Sequence, residues 1–213
     1  MTRLYLIRHG QTAWNKEERF RGRADVPLDE VGLAEARALA RAFGEQGFDA
    51  LYSSPLSRCL QTMEPLARLR QLEVRPLEGL VDIDFGAWQA RPRAEVQAEN
   101  PELYELWTTL PDKVTFPDGE NLAQVRERAL VEVARVHAEH SEGTVALCTH
   151  RVVCKLLVCG LLGIPDRLFW RIRQDATCVN LFEISPHGNA TLIKLNDTHH
   201  AAGVPGSGSL ADF

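Results

Sequence analysis

Short apolar runs alternate with amphipathic segments along this chain of 213 residues. The apolar runs are typical of β-strands and lie at residues 3–7, 50–53, 73–77 and 144–148. Between them, apolar residues recur at the spacing of one helix face. This alternation predicts βαβ units, and hence a mostly parallel sheet covered by helices on both faces.

Several residues predict where the helices begin and end. Asp29 is expected to cap one helix, with Gly47 as its end. A second helix starts after residue 55, and Pro65 is expected to kink or divide it because proline lacks the N–H that the helix ladder needs. Asn121 and Gln124 resemble a capping box that opens a long helix.

The chain is predicted to form a single domain over residues 1–197. Prolines and glycines interrupt the regular pattern at about 87–120, which predicts a small helical lid inserted into that domain. Residues 178–185 and 190–195 predict a hairpin at a sheet edge. Residues 198–213 are rich in Ala, Gly and Ser and predict a flexible tail.

Composition and charge exclude several functional classes. The net charge of −5 argues against a nucleic-acid partner or an anionic membrane surface. The longest apolar run, residues 152–164, is interrupted by Lys155 and predicts a buried helix instead of a membrane span. Five cysteines form no CxxC pair, and no signal peptide is visible, so we expect a reduced, cytoplasmic protein.

Polar segments centred on histidine follow the first and fourth predicted strands. These segments contain His9 and His150, and a third polar segment after the second strand carries Arg58. Because the carboxyl ends of parallel strands lie on one side of a sheet, we expect these side chains to converge. Arginine forks hold the oxygens of a phosphoryl group, and a neutral imidazole can attack phosphorus. The grouping predicts a phosphate site.

A leaving alkoxide also needs a proton, which a nearby carboxylic acid can supply. The segment after the third strand offers Asp82 and Asp84. Asp82 is the predicted donor, with Asp84 or an unidentified glutamate as the alternatives.

Four motifs together resemble the histidine phosphatase superfamily, the phosphoglycerate mutase-like group. They are LIRHGQTAWN at 6–15, RG at 21–22, SSPLSR at 53–58 and CTH at 148–150. A lone RHG would be weak evidence, but the ordered set is specific. The resemblance implies a three-layer α/β sandwich, a phosphohistidine intermediate, and neither a metal nor another cofactor.

The resemblance also implies roles for individual residues. It makes His9 the nucleophile, Arg8, Arg58 and His150 the rest of the catalytic phosphate pocket, and Asp82 the proton donor. Further expected contacts to phosphate or substrate involve Asn15, Arg21, Gly22 and Arg151. The expected substrate is a small phosphorylated metabolite.

The chain departs from the family pattern in three places. Asp82 stands where the family commonly has glutamate, so the donor is one methylene shorter. Arg151 replaces a frequent glycine and either contacts substrate or is merely solvated. Residues 89–93 replace a longer mutase stretch that contains tyrosine, which favours a phosphoric monoester hydrolase. A phosphoglycerate mutase and a non-catalytic phosphate-binding module are the alternatives.

Some residues admit both a functional and a structural interpretation. Trp88, Trp107 and Phe116 either line the substrate mouth or pack the lid. Arg91 and Arg93 either bind a charged substrate tail or face solvent. A metal site built from the two histidines and Asp82 is disfavoured because neighbouring arginines would repel a divalent cation. The exposed edge hairpin suggests a possible homodimer.

Overall fold

A computed structural model describes residues 1–208, apart from the side chain of Lys16. Six strands form one sheet in the order β3-β2-β4-β1-β5-β6. Strands β1 to β4 are mutually parallel, whereas β5 and β6 run antiparallel at one edge. The strands are β1 (Thr2–Arg8), β2 (Ala50–Ser53), β3 (Val74–Pro76), β4 (Thr144–Thr149), β5 (Val179–Ile184) and β6 (Ala190–Asp197).

Helices cover both faces of the sheet. They are α1 (Ala13–Lys16), α2 (Glu30–Ala42), α3 (Ser57–Arg70), α4 (Arg93–Glu99), α5 (Pro101–Thr109), α6 (Leu122–Glu139) and α7 (Arg151–Leu162). Alternate residues of β1 enter different cores: Ile7 packs with α2 and α3, and Leu6 packs with α6 and α7. This is the period of two that a strand covered on both faces requires. The predicted three-layer α/β fold is confirmed.

The helix ends show which local signals were sufficient. Asp29 caps α2 by accepting a hydrogen bond from the Gly32 N–H, and Asn121 and Gln124 form the capping box of α6. The prediction that Gly47 ends α2 is wrong: the helix ends five residues earlier, at Ala42. Pro65 does not divide α3, which continues as one helix to Arg70. Packing of Met63 and Leu66 in the core holds the segments on both sides of the proline in line.

The segment predicted to be a lid, residues 87–120, contains α4 and α5, and its aromatic side chains join the main hydrophobic core. Trp88, Trp107 and Phe116 are each 1% exposed, and their rings pack against one another. Phe85 joins the same cluster at ring-centroid distances of 4.9 Å from Phe116 and 6.2 Å from Trp107. These aromatic side chains therefore pack the lid and do not line an open mouth.

The chain after β6 returns to α2. His199–Ala201 forms one turn of 3₁₀ helix, Ala201 is buried, and the Ser207 hydroxyl donates to Glu35. Composition predicted a flexible tail over residues 198–213; of these, residues 209–213 lie outside the described part of the chain. Among residues 1–208, no helix combines the length and the apolar character needed to cross a bilayer.

Candidate active site

The register between β1 and β4 brings the two histidines together. Arg8 pairs with Thr149 at the carboxyl ends of these adjacent parallel strands, so the next residue on each strand is a histidine. The rings of His9 and His150 lie 5.3 Å apart between centroids. Both side chains are buried, at 1% and 0% exposure.

A backbone carbonyl fixes the tautomer of His9. Its Nδ1 lies 2.7 Å from the carbonyl oxygen of Gly10. Since a carbonyl oxygen only accepts hydrogen bonds, Nδ1 carries the proton. The lone pair of the neutral ring is then on Nε2, the nitrogen that remains available for attack.

His150 is held in the opposite tautomer. The Nε–H of Arg58 donates to its Nδ1 at 3.1 Å, and a guanidinium cannot accept. The proton therefore resides on Nε2, which lies 2.8 Å from the Ser54 hydroxyl oxygen. His150 thus donates its Nε2–H to Ser54, with its ring next to that of His9.

Arg58 links the elements that surround the site. Its guanidinium donates to the carbonyl oxygens of Gly22 and Ala24 at 2.8 Å each, and to Asp82 at 3.4 Å. The side chain is completely buried. These bonds satisfy a cation that burial would otherwise penalise by several kcal/mol.

Gly22 contributes backbone geometry to this arrangement. Its φ is +49°, a left-handed conformation that glycine adopts without steric cost. A Cβ there would lie 2.7 Å from Gln89 Oε1 and 2.8 Å from the carbonyl oxygen of Ile83. Gly22 therefore provides a carbonyl for Arg58 at a position that has no room for a side chain.

Arg8 and Arg21 retain donor groups with no hydrogen-bond partner among the described residues. These groups are Nε of Arg8, and Nε and Nη1 of Arg21. Arg8 is otherwise anchored by donating to the carbonyl of Gln174. Buried donors of this kind are rare in folded proteins and match the oxygens of an anion.

Arg21 and Arg151 share a small cavity with Asp82. The cavity has a volume of about 10 Å³ and also borders Gly22 and Phe85. Burial lowers the pKa of Arg21, and the cations Arg151, Arg8 and Arg58 lower it further. The accumulated positive charge favours an anionic ligand, because a bound anion relieves this repulsion.

Asp82 is the carboxylate in this cationic group. It is 5% exposed, and its Oδ2 lies 3.4 Å from Arg58 Nη2 and 3.8 Å from His150 Nδ1. Its Oδ1 accepts from the Ile83 N–H. The structure thus brings Asp82 to the site. Asp84 instead accepts from the Gly86 N–H and pairs with Arg23.

Burial lowers the pKa of both histidines well below the ordinary value. For His9, the charges of Arg58, Arg8 and Arg21 act in the same direction. For His150, Arg58 is the largest electrostatic cause after burial. Both rings are therefore neutral at pH 7, which a nucleophilic imidazole requires.

The remaining predicted residues have structural partners. Asn15 lies at the C-terminal side of α1, where its Oδ1 accepts from the N–H and the hydroxyl of Thr12. Arg91 pairs with Glu99 at 2.7 Å, and Arg93 pairs with Glu18 at 3.6 Å.

Three supporting residues were missed as site residues. Ser54 orients His150, Gln174 anchors Arg8, and the Thr62 hydroxyl accepts from the Gly10 N–H. Ser54 lies within the SSPLSR motif, so the motif itself could have identified it as a site residue. Gln174 and Thr62 carry no local signal because their contacts are distant in sequence.

Comparison with known proteins agrees with this geometry. The family described as "Histidine phosphatase superfamily (branch 1)" matches residues 4–198. The chain belongs to this superfamily.

Two of the similar proteins are named as phosphatases. "Phosphoserine phosphatase 1" of Hydrogenobacter thermophilus is 33% identical over 200 residues, which are 94% of each chain. "Adenosylcobalamin/alpha-ribazole phosphatase" of Escherichia coli is 29% identical over 194 residues, covering 91% of this chain and 95% of the relative. These similarities confirm the predicted class, a phosphoric monoester hydrolase.

A solved structure agrees with the fold of this histidine phosphatase. "Bacillus stearothermophilus YhfR" superposes with a TM-score of 0.90 at 29% identity, covering 94% of this chain and 100% of the other. The "Bifunctional protein Rv2228c" of Mycobacterium tuberculosis is longer: this chain is 32% identical to it over 199 residues, which are 54% of the relative.

Proposed function

We propose that this histidine phosphatase hydrolyses a small phosphorylated metabolite, without a metal ion, through a phosphohistidine at His9. The main supporting observation is the β1–β4 register, which puts His9 beside His150 and within a buried group of arginines. A group of this kind fits a tetrahedral dianion, because guanidinium forks pair with phosphoryl oxygens.

In the first half-reaction, Nε2 of His9 attacks phosphorus while the bond to the leaving alkoxide breaks. Arg8, Arg58 and Arg21 neutralise charge on the transferring phosphoryl group, and the Nε2–H of His150 exchanges its bond to Ser54 for one to a phosphoryl oxygen. Positioning and charge neutralisation supply most of the rate enhancement in phosphoryl transfer. Asp82 in its acid form protonates the leaving oxygen.

In the second half-reaction, water attacks the phosphohistidine. The Asp82 carboxylate accepts a proton from that water, the bond from phosphorus to Nε2 breaks, and inorganic phosphate leaves. His9 returns to its neutral state with the proton still on Nδ1.

The experiment is hydrolysis of p-nitrophenyl phosphate by the full chain in excess EDTA. Turnover should persist with the chelator and vanish in His9→Ala. Loss of activity with EDTA, or an active His9→Ala variant, would contradict the proposal. Trapping acid-labile phosphate on the wild-type protein tests the intermediate directly.

Substrate identity requires a screen of phosphorylated metabolites. Phosphoserine and α-ribazole phosphate are tested first, since two relatives carry these names. Isomerisation of 3-phosphoglycerate without phosphate release would favour a mutase. Binding of phosphate without turnover of any compound would favour a binding module.

A further inference from the structure

Glu35 is a buried carboxylate outside the motifs that mark the active site. It lies on α2, its residue is 0% exposed, and two hydrogen bonds hold its oxygens. Oε2 accepts from the Gln11 N–H at 2.9 Å, and Oε1 accepts from the Ser207 hydroxyl at 2.7 Å. A buried carboxylate is costly, so its position calls for a physical explanation.

The explanation comes from the peptide group that Glu35 contacts. The Gln11 N–H and the Gly10 carbonyl belong to the same amide. The carbonyl end of that amide accepts the Nδ1–H of His9 at 2.7 Å. A continuous chain of hydrogen bonds thus runs from the carboxylate through the amide to the imidazole.

The peptide groups on either side of this amide are also anchored. The Gly10 N–H donates to Thr62, and the Gln11 carbonyl accepts from the Asp29 N–H. α2 begins directly against it, since a Cβ on Gly32 would lie 2.2 Å from the Gln11 oxygen. These contacts restrain the Gly10–Gln11 peptide group in its position beside His9.

We propose that Glu35 is a positioning residue for His9 and acts through the Gly10–Gln11 peptide group. The inference rests on the proposed role of His9 as nucleophile. A negative acceptor on the amide N–H increases the negative charge on the amide oxygen, because linked hydrogen bonds polarise one another. The stronger acceptor holds the proton on Nδ1 and leaves the lone pair on Nε2. This is the third-group function of a catalytic triad, transmitted through a backbone amide.

The charged groups around Glu35 and His9 determine how the pKa of His9 should respond to a change at Glu35. Glu35 faces Arg8 and Asp29; burial raises the pKa of Glu35, whereas the bonds to Ser207 and Gln11 and the charge of Arg8 oppose this. His9 faces His150 and the cations Arg58, Arg8 and Arg21. Removing the negative charge of Glu35 should therefore lower the pKa of His9 further.

The decisive variant is Glu35→Gln, which keeps the shape and an acceptor for the Gln11 N–H but removes the charge. With p-nitrophenyl phosphate we expect kcat to fall about tenfold, the size of effect seen when partners that orient a histidine are lost, and KM to stay nearly constant. The acid limb of kcat/KM should move to lower pH. Glu30→Gln, on the exposed start of α2, is the matched control and should behave as wild type.

Nitrogen NMR of labelled histidine provides a readout that needs no activity. In the wild type, the His9 ring should be in the Nδ1–H tautomer, and Glu35→Gln should reduce that population. Ser207→Ala keeps the negative charge of Glu35. This variant should therefore retain the wild-type His9 tautomer and the wild-type acid limb of the kcat/KM pH profile.

A Glu35→Gln variant with the wild-type kcat, acid limb and tautomer overturns the inference. So does a loss of kcat and melting temperature without movement of the acid limb, which indicates a structural role only. Failure of the proposed function looks different: the wild type itself would then form no phosphohistidine, whereas the effect of Glu35→Gln on the His9 tautomer remains measurable.

Discussion

Arg58 is the residue on which most of the site geometry converges. It fixes the tautomer of His150, it donates to the loop carbonyls of Gly22 and Ala24, and it lies beside Asp82. Under the proposed mechanism, loss of its side chain removes a positive charge beside the phosphoryl group, and it also releases the hydrogen-bond partners of Arg58. Arg93, in contrast, lies outside the site and pairs with Glu18 at 3.6 Å near the surface.

Arg58→Ala should therefore lose more activity than Arg93→Ala by at least about tenfold in kcat/KM, because deletion of one transition-state donor costs about 10²–10³. Steady-state hydrolysis of p-nitrophenyl phosphate measures both variants. Arg93→Ala is the matched control, since it removes the same side chain outside the site. Equal losses would show that the phosphate pocket has been assigned wrongly.

The contribution of Asp82 to kcat should be larger for substrates whose leaving group needs a proton. Asp82→Asn should lower kcat for an alkyl phosphate by about 10²–10⁴, the usual contribution of a general acid. The loss should be smaller for p-nitrophenyl phosphate, whose phenolate leaves without a proton. Asp84→Asn is the control for a neighbouring carboxylate. A uniform loss on both substrates would contradict a proton-donor role.

At the scale of elements, the segment predicted to be a lid is held at its start by close backbone contacts. Gly86 has a φ of +50°, and a Cβ there would lie 1.9 Å from the Pro117 carbonyl oxygen. Gly163 after α7 has a similar φ of +66° but no atom within 4 Å of its Cβ position. An alanine at Gly163 would therefore introduce backbone strain alone, whereas an alanine at Gly86 would add steric overlap to that strain.

Gly163→Ala should lower the free energy of unfolding by about 1 kcal/mol, the strain of a left-handed alanine. Gly86→Ala should lower it by about 3 kcal/mol or more, because overlap with the Pro117 backbone adds to that strain. Urea denaturation of both variants measures the difference. Similar values for the two would mean that the lid backbone shifts easily.

At the scale of the whole molecule, the buried neutral histidines couple stability to pH. Burial lowers the pKa of His9 and His150 in the folded state. Below the ordinary histidine pKa of about 6.5, the unfolded chain binds protons that the folded chain does not. The free energy of unfolding should then fall as pH decreases through this range and stay level with respect to these groups above it.

The expected slope is about 1.4 kcal/mol per histidine for each pH unit below about 6.5. Urea denaturation at a series of pH values measures it. His9→Gln should reduce the slope by about one histidine's share. His187→Gln, in the exposed turn between β5 and β6, is the control and should leave the slope unchanged. An unchanged slope in His9→Gln would show that His9 is protonated in the folded state.

Local signals were sufficient where a residue acts on its neighbours. The predicted strand at 50–53 matches β2, and the capping residues Asp29 and Asn121 were identified correctly. The local signal failed at Pro65, because core packing outweighs the local preference for a break. At Gly47 the signal was misplaced: α2 ends at Ala42, and Gly44, with a φ of +52°, follows directly in the turn. Single-sequence patterns also could not decide whether Trp88 packs in the interior or lines the substrate mouth, since both uses select the same residue type.

The sequence by itself determined the alternation of strands and helices, and with it the edge of the sheet at which His9, His150 and Arg58 meet. This was possible because residues that follow parallel strands must lie on one side. Only the tertiary structure decided the tautomers of the two histidines, the link from Glu35 to His9, and the Arg8 and Arg21 donors that have no partner within residues 1–208. These depend on contacts between residues far apart along the chain, which no local pattern specifies.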